Sequence, residues 1–191
     1  MSDDELTRQL RRCLNDETLP LCVRVAGSLI RLYALPVSRM IELTVDQIRR
    51  EGTATYLVIN RCPVIVPPRL AVLVDRMIAQ GSPSTSFRWP AHQRAAAYLF
   101  PGRMPDRPRS ATAVRQMLAA HDLPVRRARN AAMIDAVSRM HPVIVADLFG
   151  ISIGSAQQWA AFAHSSWADY LAAALSADGQ PDQHGGGDPD R

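Results

Sequence analysis

Apolar residues recur every three or four positions along most of this chain, which is the period of an α-helix. Over residues 3–15 the leucines lie four residues apart and share one helical face. The stretch from about Pro20 to Ala34 is apolar nearly all round, which is typical of a buried helix. Shorter helices are predicted at 37–43, 68–79, 110–120, 127–140, 142–149 and 154–163, with a last one starting at the capping pattern Ser166-x-x-Asp169 and ending near Ser176.

Between residues 53 and 66 the pattern changes to that of β-strands. Thr53–Ile59 is rich in β-branched and aromatic residues, and Cys62–Val66 repeats that composition after the short connection Asn60-Arg61. The predicted fold class is therefore mainly α with one small β-hairpin. We expect a single helical domain over residues 1–176, followed by a disordered Gly-, Asp- and Pro-rich tail over 177–191.

The composition of the chain argues against several classes of protein. The 191 residues are 47% hydrophobic, but no apolar run reaches the roughly 20 residues of a membrane span, and the charged start is not a secretory signal. We therefore expect a cytoplasmic protein with no membrane partner. The three cysteines show no C-x-x-C spacing, and no catalytic or cofactor motif is present, so we expect no metal and no cofactor.

All 22 basic residues are arginines, which excludes any mechanism that needs a lysine ammonium. The net charge of +4 suits a polyanionic partner, although a basic globular protein without such a partner has the same charge.

The segment Val145–Trp159 has the spacing of a helix-turn-helix. Ala146 is followed four residues later by Gly150, and apolar residues then return at the positions that would bury a second helix. The exposed positions of that second helix would include Ser155, Gln157 and Gln158, whose side chains are able to bind bases or phosphates. Plain packing of two short helices remains the alternative.

Arginines collect at two further places. Arg126 and Arg129 fall on the core-facing side of a predicted helix, close to its N-terminus, where they oppose the helix dipole. Such a pair favours an anion, either a phosphate or a carboxylate such as that of Asp122. A loop with Arg103, Arg107 and Arg109, preceded by Arg88-Trp89 and Arg94, suits a nucleic-acid backbone or is a solvated loop.

The order of these elements resembles the catalytic domain of the tyrosine recombinases, the phage integrase family. The resemblance extends over about Leu21 to Leu175. The motifs that carry it are Leu43-Thr44-Val45-Asp46-Gln47-Ile48, Val64–Pro67, Leu99-Phe100-Pro101-Gly102-Arg103 and Leu148-Phe149-Gly150. It implies an integrase-like helical fold with double-stranded DNA as the partner, and it leaves homo-oligomerisation open.

The phosphate-binding positions of the family are only partly kept. Pro36 stands at the first family arginine, and Arg39 would serve only in a shifted register. The histidine and arginine of the family's H-x-x-R pair correspond to Arg126 and Arg129, and Arg61 is the cation nearest to the position of the hairpin lysine.

The nucleophile position is also altered. It falls about ten residues after Gly150, where Trp159 and Ala160 stand, and Ile151 replaces a family histidine. An indole is not a substitute for a phenolate nucleophile.

These residues predict a DNA-binding protein of recombinase ancestry that is catalytically inactive. Together with the helix-turn-helix pattern, they predict DNA contacts from Arg39, Arg61, Arg126, Arg129, Ser155, Gln157 and Gln158. Three alternatives stay open: a helix-turn-helix transcriptional regulator, an active recombinase that uses Tyr170, and a helical interaction protein without a DNA role.

Overall fold

The computed structural model describes residues 3–60, 62–81, 97–103 and 107–178, and within these ranges the side chains from Asp4 to Ser165. These residues form eight α-helices and one three-stranded sheet. In chain order the elements are α1 (Asp3–Asn15), α2 (Leu21–Tyr33), α3 (Val37–Met40), a 3-10 turn (Val45–Gln47), β1 (Ile48–Glu51), β2 (Ala54–Ile59), β3 (Cys62–Val66), α4 (Pro68–Gly81), α5 (Ala111–Ala119), α6 (Val125–Arg139), α7 (Pro142–Phe149) and α8 (Ile153–Asp178).

Helix α2 lies at the centre of the helical core, as its apolar pattern predicts. It packs against α1, α4, α5 and α6, and Val23, Val25 and Ile30 are completely buried. The helix ends at Tyr33, and the next residue, Ala34, has a left-handed φ of 48°. The chain then turns through Pro36 into the short α3, so the end of α2 fixes where α3 begins.

The sheet is antiparallel, in the order β1-β2-β3. The predicted hairpin is confirmed as β2 and β3, and the sheet has one strand more than predicted, because β1 pairs with the other side of β2. Strand β1 has the sequence Ile-Arg-Arg-Glu and buries only Ile48. Such a short, charged edge strand lacks the alternating apolar pattern by which strands are predicted.

The two edges of the sheet differ in how they are covered. On the outer side of β3 the hydroxyl of Tyr33 donates to the carbonyl of Ile65 at 2.8 Å, and Pro63 has no N–H to offer. On β1, Arg50 forms an ion pair with Asp75 of α4.

Helix α8 is one continuous helix of 26 residues, so the prediction of a new helix starting at Ser166 is wrong. No Pro or Gly interrupts residues 155–178, and extending a helix is easier than nucleating a second one. The helix ends at Asp178 and so includes the first two residues of the predicted tail, and residues 179–191 lie outside the described part. Of the described helices, none is both long and apolar enough to cross a membrane.

Candidate nucleic-acid interface

Arg129 links the start of α6 to the end of α2. Its side chain is half-buried, and its Nε donates to the carbonyl of Ala34 at 3.0 Å. Within the described residues, no carboxylate lies at ion-pair distance from Arg129. The guanidinium is therefore held by backbone, not by an acid, next to the residues that lead into α3.

Arg126 lies one turn earlier on α6 and is exposed, as is Arg127. The N-cap residue of α6 is Pro124, which makes no side-chain capping bond. Asp122 stands in the preceding turn with a left-handed φ of 56° and is exposed. It forms no ion pair with Arg126 or Arg129, so the carboxylate alternative is not observed for the described acids.

Arg39 is exposed on α3, between the buried Val37 and Met40 that anchor this helix in the core. The structure thus turns Arg39 outward close to the chain segment that Arg129 contacts. Arg61 lies outside the described residues. Its neighbours Asn60 and Cys62 are described, and both contact the end of α7.

Helices α7 and α8 are joined by a short turn in which Gly150 has a left-handed φ of 63°. Ala146 and Ala156 are buried where the two helices pack. The Oγ of Ser152 accepts a hydrogen bond from the backbone N–H of Ser155 at 3.1 Å and lies 2.9 Å from the Oγ of Ser155. Ser155 is therefore engaged in the start of α8, whereas Gln157 and Gln158 are exposed.

The expected nucleophile position carries no ionisable hydroxyl or thiol. Trp159 is half-buried and meets Phe162 edge-on, with ring centroids 6.3 Å apart, and Ala160 is buried. Tyr33 donates its hydroxyl to a backbone carbonyl, and burial raises the pKa of this phenol. The side chain of Tyr170 lies outside the described ones.

The proline-rich basic loop is closed at its base by backbone hydrogen bonds. The N–H of Gly102 donates to the carbonyl of Arg107 at 2.8 Å, and that of Arg109 donates to Phe100 at 2.8 Å. Arg103 and Arg107 are exposed, whereas Arg109 turns toward the sulfur of Met117. The upstream residues Arg88, Trp89 and Arg94 lie outside the described residues.

No pattern in the sequence predicts the contact between Cys62 and Asp147. The thiol of Cys62 donates to Oδ2 of Asp147 at 3.0 Å, although the two residues are 85 positions apart. The carboxylate of Asp147 raises the pKa of this thiol. No group of three His, Cys, Asp or Glu side chains that could hold a metal occurs in the described part of the chain.

Two solved structures are similar to this chain in fold. Over 84% of its length the chain superposes on the XerA recombinase, with a TM-score of 0.58 and 12% identity, and covers 57% of that protein. It superposes over 90% of its length on the XerH site-specific recombinase bound to a palindromic difH substrate in a post-cleavage complex, with a TM-score of 0.59 and 11% identity. The chain has a tyrosine-recombinase-like fold.

The predicted resemblance is confirmed at the level of the fold. The recombinase-like chain spans just over half the length of each of these two proteins, 57% and 52%. No family model matches it, and neither does any curated protein.

Proposed function

We propose that this recombinase-like protein binds double-stranded DNA in the cytoplasm and does not cleave it. The observation that carries the proposal is the state of Arg129, a half-buried cation that is bound to the Ala34 carbonyl and has no carboxylate at ion-pair distance in the described structure. A partly buried cation without an acid favours an anion from outside the chain. One of the two structural neighbours is a DNA-bound complex, which also supports a DNA partner.

The surroundings of Arg129 suit a phosphate. The start of α6 adds the positive end of a helix dipole, and Arg126 stands one turn away, facing solvent. Because Arg129 is fixed through Nε, its two terminal nitrogens keep the planar fork geometry that binds phosphate oxygens. Arg39 and Arg61 extend the proposed phosphate contacts.

We assign recognition of the DNA base sequence to the start of α8. Gln157 and Gln158 are exposed there, and glutamine is a good ligand of adenine edges in the major groove. Since the hydroxyl of Ser155 is shared with Ser152, we assign Ser155 to a phosphate contact and not to base reading.

The absence of cleavage follows from chemistry. Trp159 and Ala160 cannot attack phosphorus. With no lysine in the chain, the leaving 5′-oxygen lacks the family's proton donor, because a guanidinium does not give up its proton. Pro36 removes one of the paired cations that stabilise a pentavalent phosphate.

Binding of labelled duplexes across a series of salt concentrations tests the proposal. We expect Arg129→Ala and Arg126→Ala each to weaken binding several-fold and to reduce the slope of log K against log salt by about 0.9, the value for one lost phosphate contact. Arg76→Ala is the matched control, since Arg76 is an exposed arginine on α4 that is not assigned to the proposed interface. Equal effects of all three substitutions would show nonspecific charge attraction only.

A nicked suicide substrate tests the absence of cleavage. We expect no covalent protein–DNA adduct with the natural sequence. An adduct that forms with the natural protein and is absent with Tyr170→Phe would contradict the proposal and support the alternative of an active recombinase.

A second candidate function is a transcriptional regulator, which the α7–α8 turn with its left-handed Gly150 favours. A footprint over a palindromic site, lost in a Gln157→Ala, Gln158→Ala double variant, would support it over binding without sequence preference.

A further inference from the structure

Two sulfur atoms from distant parts of the chain meet between α2 and α5. The thiol of Cys22, in the first turn of α2, donates to the thioether sulfur of Met117 on α5 at 3.2 Å, although the two residues are 95 positions apart. Both side chains are half-buried, and Cys22 forms no disulfide. The contact therefore places a thiol and a thioether, which are both ligands of soft metal ions, side by side.

A cavity of about 340 Å³ lies beside Cys22 and brings in a second methionine. Cys22 lines it together with Met77 of α4, which is 8% exposed, and with the apolar side chains of Leu99 and Phe100. Metal–sulfur bonds are about 2.3 Å long, so an ion in linear or trigonal geometry needs its sulfurs roughly 4 Å apart or more. The cavity gives the sulfurs room to separate, and methionine adapts easily because its side chain is unbranched and flexible.

We propose that Cys22, Met117 and Met77 bind one soft monovalent metal ion of the Cu(I) type. Thiolate and thioether ligands select Cu(I), whereas magnesium and calcium prefer oxygen. On binding, Cys22 releases its thiol proton to a base in solution and the thiolate binds the ion, so metal–sulfur bonds replace the hydrogen bond between the two sulfurs. The inference is independent of the proposed DNA binding, to which none of these three residues is assigned.

The charge beside the two sulfurs favours a monovalent ion over a divalent one. Nη1 of Arg109 lies 3.7 Å from the sulfur of Met117. A thiolate with a monovalent ion is neutral overall, so it adds no repulsion to this guanidinium. Zinc on the same ligands would leave a net positive charge in a half-buried place next to Arg109, which is unfavourable.

The proposal departs from the expectation that the protein binds no metal. That expectation rested on the absence of C-x-x-C spacing and of a known cofactor motif. The three sulfur ligands lie instead on three helices, α2, α4 and α5, and α2 packs against both of the others. Ligands that meet only in the folded chain leave no spacing pattern in the sequence.

Competition for Cu(I) with a chromophoric chelator, under anaerobic and reducing conditions, tests the proposal on the natural protein. We expect one tightly bound Cu(I) per chain. Cys22→Ser keeps the size of the side chain but replaces soft sulfur by oxygen, so it should abolish this binding. Met117→Leu conserves volume and leaves the thiol in place, and it should weaken binding by about tenfold or more, as should Met77→Leu.

Cys62→Ser is the matched control. Cys62 is also half-buried, but its thiol donates to Asp147 and not to a sulfur. The affinity for the bound Cu(I) should therefore not change in this variant. X-ray absorption at the copper edge should show sulfur as the only ligand atom, and thermal unfolding without metal checks that each variant is folded.

The outcomes separate a metal site from ordinary packing of two sulfurs. Loss of binding in Cys22→Ser together with weaker binding in Met117→Leu supports the site. If Met117→Leu binds as tightly as the natural protein, the thiol acts alone and the proposal is overturned. Equal weakening in Cys62→Ser, or nitrogen ligands in the absorption spectrum, also overturns it. An unchanged affinity in Met77→Leu overturns the assignment of the third ligand.

Discussion

Two sets of arginines in this protein differ in their burial and in the groups that their side chains contact. On α2, Arg24 and Arg31 are buried, with 6% and 3% of their surface exposed. At the start of α6, Arg126 is exposed and Arg129 is half-buried. The buried set binds several groups of its own chain, whereas the α6 set makes one such side-chain bond in the described structure, from Arg129 to Ala34.

The buried set acts as part of the core. Arg24 donates to the carbonyls of Cys13 and Leu14 at 3.1 and 2.8 Å, which satisfies the last carbonyls of α1 and suits the negative end of that helix. Arg31 donates to the carbonyl of Gly27 at 3.0 Å and to the side-chain oxygen of Gln9. The same residue type therefore joins two helices in one region, and in the other it forms the proposed phosphate-binding site.

Arg31→Ala should have the largest effect on stability. It leaves the buried oxygen of Gln9 without its donor and opens a cavity, so we expect a loss of about 3 kcal/mol and a fall in Tm of roughly 6–12 °C. DNA affinity of the folded protein should not change. The double variant Arg31→Met, Gln9→Leu should recover most of the stability, because an apolar pair needs no partner. A loss in DNA affinity at unchanged Tm would contradict the division between the two sets.

Gly27→Ala probes the close contact of α1 and α2 beside Arg31. A Cβ at Gly27 would lie 2.5 Å from the sulfur of Cys13, so we expect a loss of about 2 kcal/mol, or about 4–8 °C in Tm. Gly154→Ala on α8 is the matched control. Its Cβ would meet nothing closer than 4.0 Å, and Tm should stay the same or rise. Equal losses for the two variants would mean that helix propensity, not packing, sets the effect.

Cys13 gives the stability of the buried region a pH dependence in the alkaline range. The thiol is fully buried, and burial raises its pKa above 9.0, against the lowering effect of Arg31. A raised pKa in the folded state means that the stabilisation is complete below pH 9 and is lost as pH rises toward the folded value. We expect Cys13→Ala to flatten the fall in stability above pH 9, by at most about 1.4 kcal/mol per pH unit. An unchanged slope in alkaline urea titrations would contradict this.

Arg127→Ala should have the smallest effect on stability. Arg127 is exposed and has no ion pair in the described structure, so the change should lie within about 0.5 kcal/mol. DNA binding should weaken less than in Arg129→Ala, because the side chain is not held in place. If Arg127→Ala weakens binding as much as Arg129→Ala, the hydrogen bond from Arg129 to Ala34 does not contribute to DNA affinity.

The period of the apolar residues predicted most of the helices, because a helix that buries one face has an apolar residue every three or four positions. It succeeded for α2, where the pattern is apolar all round. It also predicted α1 with its observed bounds, but it did not identify the residues that α1 buries, because the leucines are only half-buried and the buried positions are Gln9 and Cys13. Gln9 is inside because Arg31 needs an acceptor, and that need arises only once the two helices pack.

The candidate site was less accessible to sequence reasoning. Arg126 and Arg129 could be placed at a helix start from spacing alone, but the bond from Arg129 to Ala34 joins residues 95 positions apart. The contact of Cys62 with Asp147 has the same character. Such contacts depend on how distant elements meet, so no local pattern encodes them.

The covered edges of the sheet bear on how this protein avoids self-association. Strand β3 is apolar, and Ile65 exposes 64% of its surface, a combination that favours pairing with a strand of another molecule. Tyr33 occupies the outward carbonyl of Ile65, and Pro63 interrupts the row of donors two residues earlier. On the opposite edge, the charges of β1 and the Arg50–Asp75 pair discourage strand addition. These features of the two edges disfavour aggregation by edge-to-edge strand pairing.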